Sequence, residues 1–256
     1  MSKIKTDILT ITGSKGMLSA ILQRPDTMQH GKLYPMALIL HGFASNKNDP
    51  IVSTISNKLL EQNCATMRFD FNGHGESEGD FSDMTVPNEI EDARCVLHYI
   101  QSLDYVQDIY IVGHSQGGVV ASMLSGLEGN CRIQKLVLLA PAAVLRDDTI
   151  RGNTMGKSYD PVNPPAKVQI REHIYLGREY IKSAFRLPIY ETAQKYRGKV
   201  CVIHGTGDRL VPYTYGERYK AIYADCELHI LEGYDHCFSQ DLNNTAEIAV
   251  DFLMQH

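Results

Sequence analysis

The sequence predicts an α/β protein, with a mostly parallel sheet covered on both faces by helices. Two patterns carry this reading. Short apolar runs alternate with longer amphipathic stretches, as repeated βα units do. Most of those runs are apolar almost throughout, which fits strands buried on both faces. Size is the third observation: 256 residues, 43% of them hydrophobic and 21% charged, make one large domain with an ample core.

The elements follow in chain order. Runs 4–12 and 16–24, joined by Gly13-Ser14-Lys15-Gly16, read as an antiparallel hairpin. Further strands are expected at 36–40, 65–69, 109–113, 135–140, 199–204 and 226–231, completing an eight-stranded sheet. Helices are expected at 50–62, 86–102, 116–127, 214–223 and 242–254, and Pro87 suits a helix first turn. The rhythm breaks between Ala140 and Lys199. Segment 142–198 is rich in Gly, Pro and Tyr and reads as an inserted lid after the sixth strand, within a single domain spanning 1–256.

Composition narrows the function. A net charge of −5 argues against a nucleic-acid binder. No run approaches the ~20 apolar residues of a membrane helix, and the first twenty residues lack the apolar core of a signal peptide. Six cysteines form no CxxC pair, and four (Cys95, Cys131, Cys201, Cys226) fall in expected strands or helices. They read as reduced structural thiols of a cytoplasmic protein. No HExxH-like spacing points to a metal. The pattern leaves a homodimer open.

The chemistry concentrates at Gly113-His114-Ser115-Gln116-Gly117, a G-x-S-x-G motif between a strand and a helix. In that setting the serine is held on a tight, strained turn, and side chains at 113 and 117 would collide with neighbouring backbone. A serine hydroxyl needs a positioned base. The order Ser…Asp…His selects Asp208, in HGTGD, and His236, in EGYDHCF, both just past strand ends. Asp235, Asp147 and Asp148 are rival acids. His41, His74, His114 and His204 also lie near strand ends; His41 is expected to pack or hydrogen-bond and His74 to brace a turn. An acyl-transfer site also needs two oxyanion donors. The amide of Gln116 supplies one, and the loop His41-Gly42-Phe43-Ala44 supplies the other through Phe43.

These residues resemble the α/β-hydrolase superfamily along the whole chain. HGFASNKN, MRFDFNGHGESEG, VGHSQGGVVASML, LLAPAA, LPIYE, VIHGTGD and EGYDHCF are similar in particular to the bacterial intracellular cinnamoyl (feruloyl) esterases. The resemblance implies a serine carboxylesterase for hydroxycinnamate esters that needs no cofactor. It carries the triad onto Ser115, Asp208 and His236, and the oxyanion donors onto Phe43 and Gln116. Within the implied lid, Asp148 and Tyr180 take positions that face the phenol of the substrate. Met155 stands where that family often has glutamine in its GNT-x-G turn, so one polar contact is missing. A small aromatic ester is therefore the expected partner, with neither nucleic acid nor membrane involved. A broad short-chain acyl esterase, lipase or thioesterase would use the same triad and is the alternative. A serine aminopeptidase ranks below it, separable by comparing esters with amides. A non-catalytic member of the fold would fail to react with a fluorophosphonate.

Overall fold

A computed structural model describes residues 3–129 and 133–255. The hairpin is β1 (Ile4–Thr12) and β2 (Met17–Pro25), paired antiparallel from Ile4 opposite Pro25 to Thr12 opposite Met17. There follow β3 (Tyr34–Leu40), α1 (Pro50–Glu61), β4 (Ala65–Phe69), a 3₁₀ turn at Phe81–Asp83, α2 (Val86–Gln101), β5 (Val106–His114), α3 (Gln116–Glu128) and β6 (Ile133–Leu139). The inserted segment contains α4 (Val144–Arg151), the hairpins β7–β8 (Asn153–Thr154, Lys157–Ser158) and β9–β10 (Lys167–Arg171, Ile174–Gly177), α5 (Arg178–Phe185) and α6 (Ile189–Ala193). The chain closes with β11 (Lys199–Gly205), α7 (Thr214–Ile222), β12 (Cys226–Leu231) and α8 (Leu242–Met254).

Eight strands form one sheet in the order β1-β2-β4-β3-β5-β6-β11-β12. The β1–β2 and β2–β4 pairs are antiparallel and the rest are parallel. This is the α/β-hydrolase fold that the sequence implies. Two apolar layers lie on opposite faces of the sheet. One holds Ile51, Ile55 and Leu59 of α1 against Ala249, Val250 and Leu253 of α8. The other holds α2, α3 and α7 and extends into the insertion through Ile170, Ile181 and Ile189. Residues Gln116–Gly126 of α3 are buried on every side, as a central helix must be.

Local chemistry sets the helix starts. The Asp49 carboxylate accepts from the Ile51 amide with Pro50 behind it, Thr85 caps α2 through the Asn88 amide, and Asp241 caps α8 through the Asn244 amide. No described helix is long and apolar enough to cross a membrane. Cys64, Cys95, Cys201, Cys226 and Cys237 are free thiols; Cys131 lies outside the described residues.

Segment 142–198 is more ordered than its composition suggests. Its β7–β8 hairpin turns on Met155 (φ 49°) and Gly156 (φ 79°), two positive-φ residues, as a two-residue type I′ turn requires. Methionine is an unusual occupant of that conformation, so the hairpin was hard to anticipate.

Candidate active site

β5 brings the chain to Ser115 and α3 carries it away. The Ser115 backbone sits at φ 56°, ψ −121°, a conformation that persists only when the surroundings impose it. They do so here: the Ser115 amide donates to the Leu139 carbonyl (2.9 Å), and its carbonyl accepts from Gly118 (2.9 Å) and Ala142 (3.0 Å). A Cβ on Gly113 would overlap the Gly117 carbonyl, and one on Gly117 would overlap the carbonyls of Leu40 and His41. Ser115 occupies the N-cap of α3 yet its side chain makes no capping bond. Its hydroxyl donates instead to His236 Nε2 at 2.9 Å.

His236 Nδ1–H donates to Asp208 Oδ2 at 2.7 Å. The same oxygen accepts from His204 Nε2 at 3.2 Å, a donor shared with the Val211 carbonyl at 2.9 Å. Oδ1 accepts the amides of Leu210 (2.9 Å) and Val211 (2.8 Å). Burial works to raise the Asp208 carboxyl, but the hydrogen bonds from His204 and His236 prevail and hold it well below the usual carboxylate range. Asp208 is thus a fixed anion beside the imidazole. His114 donates from Nε2 to the His236 carbonyl at 2.9 Å, which pins the loop. Burial, helped by His236, lowers His114 to about 4 and keeps it neutral.

The loop after β3 lies against the serine; a Cβ on Gly42 would sit 3.0 Å from Ser115 Cβ. Among the described residues, the amides of Phe43 and Gln116 donate to no protein group, so both are free for an oxyanion. A buried Lys47–Asp70 ion pair, joined by the exposed Glu76, anchors that loop. Lys47 Nζ donates to Asp70 (2.5 Å) and Glu76 (2.6 Å), and the amides of Lys47 (2.6 Å) and Glu76 (2.9 Å) donate to Asp70. His41 donates from Nδ1 to the Gly42 carbonyl (2.8 Å) and accepts the Phe71 amide at Nε2 (3.2 Å), so it holds backbone. His74 donates from Nδ1 to the Asn72 carbonyl at 3.3 Å, within its own turn.

Behind Gln116 runs a buried chain that the sequence reading missed. Tyr180 Oη–H donates to Gln116 Oε1 (2.8 Å), and Gln116 Nε2 donates to Glu89 Oε2 (2.8 Å). Burial pushes the Glu89 carboxyl up to about 8, so it is largely neutral at pH 7. One signal could have exposed it: Glu89 falls among Val86, Ile90, Ala93 and Leu97 on the apolar face of α2.

Ser115 and His236 open into a cavity of about 480 Å³ that includes Phe43, Asp148, Met155 and Tyr180. The three expected substrate-binding residues, Asp148, Met155 and Tyr180, therefore all line this cavity. Asp148 is half-buried, and burial raises its carboxyl, against the pull of Arg151 at 3.9 Å. Tyr180 already donates its proton to Gln116, leaving its oxygen lone pairs as acceptors. The rival acids are engaged elsewhere. Asp147 accepts from Tyr215 Oη (2.6 Å) and pairs with Arg218 (3.5 Å). Asp235 caps its own turn through the Cys237 and Ser239 amides, both at 3.0 Å. Among the described residues no group of three His, Cys, Asp or Glu side chains could hold a metal ion.

The chain is similar to several known proteins. The structure is similar to that of Est1E from Butyrivibrio proteoclasticus with ferulic acid bound, at a TM-score of 0.91 and 29% identity over 96% of this chain and 98% of that one. A second Est1E structure gives a TM-score of 0.87 and 27% identity over 96% and 97% of the two chains. A probable protein phosphatase methylesterase 1 from Dictyostelium discoideum is 25% identical over 131 residues, 44% of this chain and only 40% of that protein's length. Residues 35–171, more than half of the chain and including Ser115, match the family described as Serine aminopeptidase, S33. The chain belongs to this S33 family and is a serine hydrolase of the α/β-hydrolase fold.

Proposed function

We propose that this serine hydrolase is a carboxylesterase acting on hydroxycinnamate (feruloyl and cinnamoyl) esters. The observation that carries the reading is the hydrogen-bonded line Ser115–His236–Asp208, at 2.9 and 2.7 Å, opening into a cavity partly walled by Phe43, Met155 and Tyr180. The likeness to a protein crystallised with ferulic acid supports the acyl class. A planar aromatic acid suits an apolar slot with few polar groups.

In this reading Ser115 Oγ attacks the ester carbonyl carbon while its proton passes to His236 Nε2. Asp208 keeps the imidazole in the required tautomer and stabilises the imidazolium. Negative charge on the carbonyl oxygen falls on the Phe43 and Gln116 amides, each worth about 3 kcal/mol of barrier. The C–O bond to the alcohol then breaks, and His236 gives its proton to the departing oxygen. Water, deprotonated by His236, attacks the acyl-enzyme; the acid leaves and Ser115 recovers its proton. No cofactor enters any step. Segment 142–198 serves as the lid over the acyl group, with Asp148 and Tyr180 toward the phenol. The free thiols fit a cytoplasmic enzyme.

The test is kcat/KM on ethyl ferulate, ethyl cinnamate, ethyl butyrate and p-nitrophenyl acetate, with a feruloyl amide as the peptidase arm. A tenfold preference for ferulate over butyrate corresponds to about 1.4 kcal/mol of aromatic-selective transition-state binding. Flat rates, or butyrate leading, would leave a serine esterase of another acyl class. A preference for the amide would assign peptidase chemistry instead.

A further inference from the structure

Arg171 and Arg209 both line the catalytic cavity. Among the described residues neither side chain has a hydrogen-bond or ion-pair partner, and of the described arginines only Arg186 shares that state. The others are engaged: Arg24 with Asp7, Arg94 with Glu91 and Glu128, Arg146 with Glu191, Arg151 with Asp148, Arg218 with Asp147, and Arg68 and Arg178 with backbone carbonyls, and Arg197 too has a partner. So two of the three unoccupied guanidiniums meet at one cavity. The acids there offer them nothing. Asp49 accepts the Ile51 amide (3.2 Å) and the Ser45 hydroxyl (2.5 Å) as the cap of α1, and Asp148 faces Arg151.

Their position in the cavity matters. Arg209 directly follows Asp208, and Arg171 acts on Cys237, which directly follows His236. Burial raises the Cys237 thiol while the Arg171 guanidinium pulls the other way. Both cations line the same cavity as His236, and His236 is the group that hands a proton to the leaving oxygen in the proposed reaction. In the proposed esterase reading, Phe43, Met155 and Tyr180 of that cavity serve the acyl group. A guanidinium offers a planar fork of N–H donors that matches a carboxylate or phosphate.

We infer that Arg171 and Arg209 form a leaving-group subsite for an anion, so that the preferred substrate is an ester whose alcohol half carries a carboxylate or phosphate. The inference rests on the esterase reading but not on the aromatic acyl group.

The experiment uses matched esters in two acyl series, feruloyl and butyryl. Within each series the alcohol is glycolate, its neutral isostere glycolamide, 2-phosphoethanol or ethylene glycol. The expected result is a kcat/KM ratio of at least tenfold for the anionic over the neutral ester in both series, shrinking as salt is raised. The carboxylate and phosphate arms identify which anion is read. In the Arg171→Gln/Arg209→Gln double variant the ratio falls toward one, and Arg209→Lys retains most of it. Anionic-to-neutral ratios within twofold of one in the wild type overturn the subsite, as does a ratio that survives in the double variant. The feruloyl-to-butyryl ratio reports on the acyl slot separately, so failure of one reading is distinguishable from failure of the other.

Discussion

The residues at the floor of the cavity hang from strands buried on both faces, whereas those above it ride on short elements of the insertion. Along β5, Ile109–His114 are buried without a break, and so are Val200–Gly205 of β11. In the insertion, β9 alternates exposed and buried residues, β8 is exposed, and α4 buries only Leu145 and Thr149. Both carboxylate oxygens of Asp208 are occupied, and Ser115 is locked by backbone bonds on three sides. Met155, by contrast, sits at a hairpin tip, 36% exposed. The floor is over-determined and the roof is not. Substitutions in the floor should therefore stop chemistry while sparing the fold, and substitutions in the roof should change which ester is preferred.

The strongest way to break this contrast is Ser115→Ala. It should lower kcat by about 10³-fold or more while circular dichroism and Tm stay close to the wild type. Substantial residual turnover in a pure protein would place the nucleophile elsewhere. Asp208→Asn comes next, with an expected loss of about 10²–10⁴-fold in kcat, because the amide no longer enforces the imidazole tautomer. A loss under tenfold would mean that Asp235 or another acid had taken over.

Tyr180→Phe joins floor and roof, since Tyr180 lines the cavity while bonding Gln116. It leaves the buried Gln116 Oε1 without its donor, which costs about 1–3 kcal/mol. We expect kcat/KM to fall for feruloyl and cinnamoyl esters alike, with a larger rise in KM for feruloyl. An equal effect on both would confine Tyr180 to positioning Gln116.

The smallest expected effect is on stability. Burial holds Glu89 at about 8 in the folded chain, against an ordinary glutamate value when unfolded. Between the two the folded state binds the extra proton, so its stability falls as pH rises from the ordinary glutamate range through about 8. Glu89→Gln removes this dependence while keeping a partner for Gln116. Thermal unfolding from pH 5 to 8.5 should show the Tm of the variant gaining on the wild type as pH rises. A difference that stays constant with pH would mean that Glu89 is already ionised in the folded state.

Much of this was legible in the residues themselves. Strand and helix positions followed from apolar periodicity and from signals such as Pro87 in a helix first turn, because those signals are local. The elbow was legible for the same reason: Gly113 and Gly117 are dictated by steric contacts that any strand–turn–helix of that tightness would make. The order of Ser115, Asp208 and His236 along the chain was enough to nominate them. The sequence could not say that His204 supports Asp208 or that His114 pins the His236 loop. Nor could it join Glu89, Gln116 and Tyr180 into one hydrogen-bonded chain, or leave Arg171 and Arg209 unpaired at the cavity. Each of those contacts links residues from separate elements, and a hydrogen bond depends on where side chains end up. That is set by the packing of strands and helices against one another, which the sheet order and the path of the insertion decide.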